Sequence, residues 1–149
     1  MLVFPSVVDT DHYRPVESPP LTVASHVFTV GWIGTPSTAP YLQILAEPLQ
    51  CLAHELNVRL LVVGAQVPQI SGVEIQCHPW HLAREVALIQ QFDVGVMPLP
   101  DTPWARGKCA YKLIQCMACG IPVIASRVGA NVDAVPSTCG LLALSPAEW

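Results

Sequence analysis

The chain has 149 residues, of which 52% are apolar and 12% charged, with 11 acidic against 7 basic side chains and a net charge of −4. That profile suits one globular domain with a real core and excludes a disordered chain, while the acidic balance argues against nucleic acid or an anionic membrane as the main partner. No apolar run is long enough to span a membrane, and the start MLVFPSVVDTDHYRP lacks the basic and apolar regions of a signal peptide.

Residues 1–26 form a proline-rich lead without sustained periodicity, so a linker-like segment is expected there, with one domain over 27–149. VFTVGWIG reads as a strand ending at Gly34, and Ser37 or Thr38 is placed to cap the helix that follows. In that helix Leu42, Leu45, Ala46, Leu49, Leu52, Ala53 and Leu56 share one face, and Pro48 should kink it. VRLLVVG is a continuous apolar run, as in a strand of a parallel sheet buried on both faces. VEIQC is a shorter strand, HLAREVALIQQ a helix and FDVGVMPL another buried strand. Lys108 to Cys119 reads as a helix, followed by the strands PVIAS and GLLAL. The chain stops at SPAEW, where a further helix is expected to begin, so the domain reads as truncated at its C-terminus.

Strands alternating with helices predict an α/β fold, a Rossmann-like parallel sheet of about six strands with helices on both faces. Ligands of such sheets bind outside the carboxyl ends of the strands. That rule groups Gly34–Thr35, Gly64–Ala65, Pro79–Trp80 and the stretch from Pro98 to Lys108 around one crevice.

GKCAYKLIQCMACGIPVIAS, Gly107 to Ser126, holds the densest chemistry. On a helical wheel Ala110, Leu113, Ile114 and Met117 share an apolar face, and Lys108, Lys112 and Gln115 lie opposite, with Cys119 just beyond. A helix beginning near Gly107 would offer unpaired N–H groups to an anion, with Arg106, Lys108 and Lys112 adding charge; the bland alternative is a solvated polar face. Cys116 and Cys119 form C-x-x-C, but late in the helix and without the second pair that zinc requires. CHPWH (Cys77, His78, His81) also lacks a partner motif, so neither a metal nor a redox cofactor is expected. The six cysteines lie in apolar periodic segments and read as small core residues, free thiols in a cytoplasmic protein. A nicotinamide site would need a glycine fingerprint, and GWIGTPS is not G-x-G-x-x-G.

Taken together, MACGIPVIAS, the opening VFPSVVDTDHYRP, VRLLVVGA, FDVGVMPLP and GLLAL…EW occur in the order found in one family. Nearly the whole chain resembles the C-terminal, donor-binding half of a GT-B glycosyltransferase of the group 1 type (family 4). That family often reads E-G-F-G-x-x-x-x-E-A-M-A-C-G-x-P-V-V-A-S, and its linker element V-I-P-N-G-V-D-x-x-x-F-x-P. The resemblance implies transfer of a sugar, with retention, from a nucleotide-sugar that is UDP- or GDP-linked. It implies no metal, and an acceptor half that would precede Met1, through which membrane association would arise.

The family's two motif glutamates fall at Gly107 and Gln115, and its diphosphate-contacting cations fall near Thr35 and Pro40. Here GKCAYKLIQCMA resembles a subgroup with G-K-C-x-x-K-L-x-x-Y-M-A, so Lys108, Lys112 and Arg106 are the candidate catalytic cations. Gly34, Thr35, Trp80 (as a stacking surface or a packing residue), Asp101, Gly107, Gln115 and Gly129 are the candidate donor-binding positions. A non-catalytic nucleotide-sugar binder or protein-interaction module is the second function class, favoured by the lost glutamates.

Overall fold

The computed structural model describes residues 6–17 and 27–149; the remainder of the predicted lead, 1–5 and 18–26, lies outside the described residues. Six strands, β1 (Phe28–Ile33), β2 (Val58–Val63), β3 (Glu74–His78), β4 (Val94–Met97), β5 (Val123–Ser126) and β6 (Gly140–Ala143), form one parallel sheet in the order β3-β2-β1-β4-β5-β6. This is the doubly wound Rossmann-type order, whose direction reverses between β1 and β4. The apolar runs do what their sequence predicts: Leu60, Leu61, Val62 and Val63 are fully buried, alternating between two core layers.

One layer packs Leu42, Leu45 and Leu49 onto the sheet. Leu52 and Ala53 join it at the edge, whereas Leu56 lies past the helix end and is exposed. The expected single kinked helix is a 3₁₀ segment (Ala39–Leu45) running into α1 (Ala46–Ala53). Pro48 thus falls in the first turn of α1, where a missing N–H costs least. Thr38 caps no helix N–H; its hydroxyl donates to the carbonyl of Thr35 at 3.1 Å and closes the loop after β1.

The other layer packs α2 (Leu82–Ile89) and α4 (Tyr111–Ala118) on the opposite face. Gly31 and Gly95 are register partners on the two central strands. An added Cβ at Gly31 would strike the Phe92 ring, and one at Gly95 would lie 2.7 Å from Cys116 Sγ. The paired glycines therefore let Phe92 and α4 sit directly on the sheet backbone. The described part of the lead is docked on this layer: Tyr13 is buried in it, and Gln90 Nε2 donates to the Arg14 carbonyl at 2.8 Å.

The expectation that the six cysteines are small core residues needs correction. Cys116 and Cys119 are core residues, but Cys51, on the exposed side of α1, and Cys109 and Cys139, outside the helices and strands, are exposed thiols. Among the described residues no helix is long and apolar enough to cross a membrane.

Gly31→Ala should destabilise more than Gly95→Ala, since a rigid ring yields less than a thiol. Overpacking of this kind costs about 1–3 kcal/mol. Urea unfolding measures both, and Cys116→Ala in the Gly95→Ala background should recover much of the loss.

Candidate functional site

The strand ends converge as the parallel topology requires. Gly34 N–H donates to the Val63 carbonyl at 2.9 Å, and Gly64 N–H to the His78 carbonyl at 2.8 Å. The Cβ of Trp80 lies 3.5 Å from where a Cβ on Gly64 would be. β1, β2 and β3 thus bring Gly34, Gly64 and Trp80 to one edge of the crevice, beside the topological switch point.

The predicted basic helix is divided. Pro103–Arg106 forms a separate short helix, α3, capped by Thr102, whose Oγ1 accepts from Ala105 N–H at 3.2 Å. A link follows, and α4 begins only at Tyr111, after Ala110 takes a left-handed φ of 56°. Gly107 and Lys108 therefore precede α4 and do not start it. A fully buried Ala110 holds the bend, a conformation that costs an alanine about 1 kcal/mol or more and persists only under strong packing.

Lys112, in the first turn of α4, reaches back over β1. Its Nζ lies 4.9 Å from the centre of the Trp32 ring and 2.7 Å from the position of an added Cβ on Gly34. Only a glycine at 34 leaves this approach open. Burial, then the nearby Lys108 charge, lowers the Lys112 amine from 10.5 to about 8. Lys108 Nζ lies 4.9 Å over the Trp104 ring, which is itself exposed.

Arg106 is differently engaged. Its Nε and Nη2 donate to the two carboxylate oxygens of Asp101, the second at 2.9 Å, and both side chains are solvent-exposed. Hydrogen bonding to Arg106 holds the Asp101 carboxyl below the usual range. Two residues expected to face the donor separately are thus one ion pair bracing α3. Gly129, at φ 55°, packs against the Arg106 backbone, where a side chain would collide. Thr35 is exposed, its hydroxyl 2.9 Å from that of Ser37.

The polar face assigned to α4 also needs correction. Gln115 is 3% exposed, and the helix buries Leu113, Gln115 and Cys116. Gln115 Nε2 donates to the Tyr13 hydroxyl at 2.8 Å and to Glu85 Oε1. Trp80 Nε1 donates to Glu85 Oε2 at 3.0 Å, leaving the Trp80 ring half exposed. Glu85 was missed by sequence reasoning, although its signal is present: it sits on the apolar stripe of α2 with Leu88 and Ile89, where an unpaired charge is not stable.

No three His, Cys, Asp or Glu side chains among the described residues cluster so as to hold a metal ion. An open apolar trough of about 850 Å3 lies away from the crevice, on the α1 face, between Leu49 and Trp149 over Val96 and Ile124.

The strand order and the crevice at its switch point define a Rossmann-like α/β domain of the GT-B kind. The sequence model for glycosyl transferases group 1 matches residues 25–149, and the chain belongs to that family. Among solved structures it is similar to HepE of Anabaena in complex with UDP and glucose, at 19% identity and a TM-score of 0.64, over 93% of this chain and 42% of that one. The UDP complex of HepE gives 20%, 0.61, 95% and 43%, and TarM gives 14%, 0.55, 81% and 27%, in the same order. The chain thus spans less than half the length of each. Among curated proteins, none matches the chain.

The Lys112 amine should titrate near 8 in 13C-edited NMR, and Lys108→Ala should raise that value by removing a neighbouring positive charge. Because the folded value lies below 10.5, the folded state binds fewer protons between the two, and this group's contribution makes stability rise with pH across that window. At Gly107 an added Cβ meets nothing closer than 3.5 Å, so Gly107→Glu should fold with stability changed by no more than about 0.5 kcal/mol, read by thermal melting.

Proposed function

We propose that this chain is the nucleotide-sugar-binding half of a retaining glycosyltransferase, with an acceptor-binding half lying outside the sequence described. The observation that carries the reading is Lys112: a partly buried ammonium set against Gly34 at the strand end where the sheet changes direction. A cation desolvated there, with no carboxylate partner among the described residues, is suited to an anionic ligand, and a nucleoside diphosphate supplies one. That HepE, similar in fold, was solved with UDP and glucose supports this choice of ligand class.

Breaking the anomeric bond leaves negative charge on the diphosphate. Lys112 and, across the link before α4, Lys108 would meet that charge from preset positions. Arg106, paired with Asp101, would contribute by holding the loop unless substrate displaces its partner. Trp80 would offer its ring face to the base. With half of the machinery elsewhere, this domain should bind a UDP- or GDP-linked donor weakly and transfer nothing alone.

Calorimetric titration with UDP and GDP tests the reading. One of them should bind, and Lys112→Ala should weaken it by roughly 10- to 100-fold, the worth of a hydrogen bond to a charged group. Wild-type affinity should fall as pH rises through about 8, because the free protein loses the charge the ligand needs, and binding should take up a proton there. Lys112→Arg should flatten that profile. An affinity unchanged by Lys112→Ala would refute the assignment.

A further inference from the structure

We propose that Glu85 is a positioning residue of the nucleotide crevice, one carboxylate that holds Trp80 and α4 in mutual register. The inference rests on the nucleotide reading above and adds to it a residue on a different helix from the lysines.

Glu85 is 4% exposed and lies between two side chains that donate to it. The Trp80 indole N–H reaches Oε2, and the Gln115 amide N–H reaches Oε1. A carboxylate offers an acceptor to each of them, whereas an apolar side chain of similar length in its place would leave both N–H groups without a partner. The second Gln115 N–H is taken by the Tyr13 hydroxyl. A single polar chain therefore runs from the segment before the sheet, through α4 and α2, to a half-exposed indole at the crevice.

Gln115 follows Lys112 by three residues, on an adjacent face of the same helix. Fixing the Gln115 amide fixes how far Lys112 reaches over Gly34. Fixing the indole edge sets the plane of Trp80 and occupies its only polar atom. Trp80 then has nothing but its π-face to offer a ligand, so a heteroaromatic base would meet it by stacking and not by hydrogen bonding.

The test removes the acid and then exchanges it with the amide. Glu85→Met leaves the Trp80 and Gln115 donors unmatched. Glu85→Gln combined with Gln115→Glu restores every pairing: the amide introduced at position 85 can accept from Trp80 and donate to the carboxylate introduced at position 115, which also accepts from Tyr13. The Trp80 indole resonance, assigned with Trp80→Phe and read without ligand, should shift and exchange faster in the single variant and return in the exchanged pair. UDP or GDP affinity should fall roughly tenfold in the single variant and recover to within about threefold of wild type in the pair. If the single variant fails to fold, the pair and Tyr13→Phe still test the network. A pair with a native indole signal but no recovery of affinity would overturn the positioning role, as would a folded Glu85→Met protein with wild-type affinity. A wild-type chain that binds neither nucleotide overturns the nucleotide reading instead, and the indole signal reports separately on whether Glu85 holds Trp80.

Discussion

The seating of α4 on the middle of the sheet is the constraint from which the rest follows. Gly95 has no side chain, so Cys116 can lie against the β4 backbone and set the depth of the helix. One turn earlier, the same depth carries Lys112 over Gly34, where a second missing side chain leaves room for an ammonium. Beside Cys116, Gln115 is driven inward to meet Glu85. A bulkier residue at Gly95 would press on Cys116 and lift the helix, while one at Gly34 would strike the Trp32 ring and displace the Lys112 ammonium. The packing contact and the candidate site are one geometric fact.

Such close seating also places a glutamine and a glutamate in low-dielectric surroundings, where an unmatched polar group is expensive. The chain Tyr13–Gln115–Glu85–Trp80 resolves this by giving the Gln115 amide nitrogen and the Trp80 indole N–H oxygen partners. Its charge is felt locally: after burial itself, the Glu85 carboxylate helps push the Cys119 thiol up to about 11. Burial likewise pushes the neighbouring Cys116 thiol up to about 12. Both thiols are held far from reactivity and serve as small packing groups. In contrast, Cys109 is exposed beside Lys108, and its thiol is lowered first by a hydrogen bond with Ser6.

Much of the fold was legible because burial on both faces of a parallel sheet leaves an unmistakable trace, the unbroken apolar runs around Leu61 and Val96. The family resemblance was carried by the segment after α4 and is matched over residues 25–149. The α3–α4 division was not legible: the bend is made by an alanine with positive φ, which sequence rules assign to glycine or asparagine, and a four-residue helix has no period to detect. Gln115 was placed on the wrong face because a wheel sorts by polarity alone, and its partners lie 30 and 102 residues away. The Asp101–Arg106 pair was hidden for a simpler reason: at five residues apart its geometry depends on the loop closing into α3.

The central claim is that a nucleotide occupies the crevice between Gly34, Trp80 and Lys112. Mapping backbone amide shifts across a UDP titration tests it most directly. The account predicts changes concentrated at Gly34, Gly64, Trp80 and the link from Lys108 to Lys112, with the trough between Leu49 and Trp149 unaffected. Changes concentrated in that trough, or none at saturating nucleotide, would contradict it.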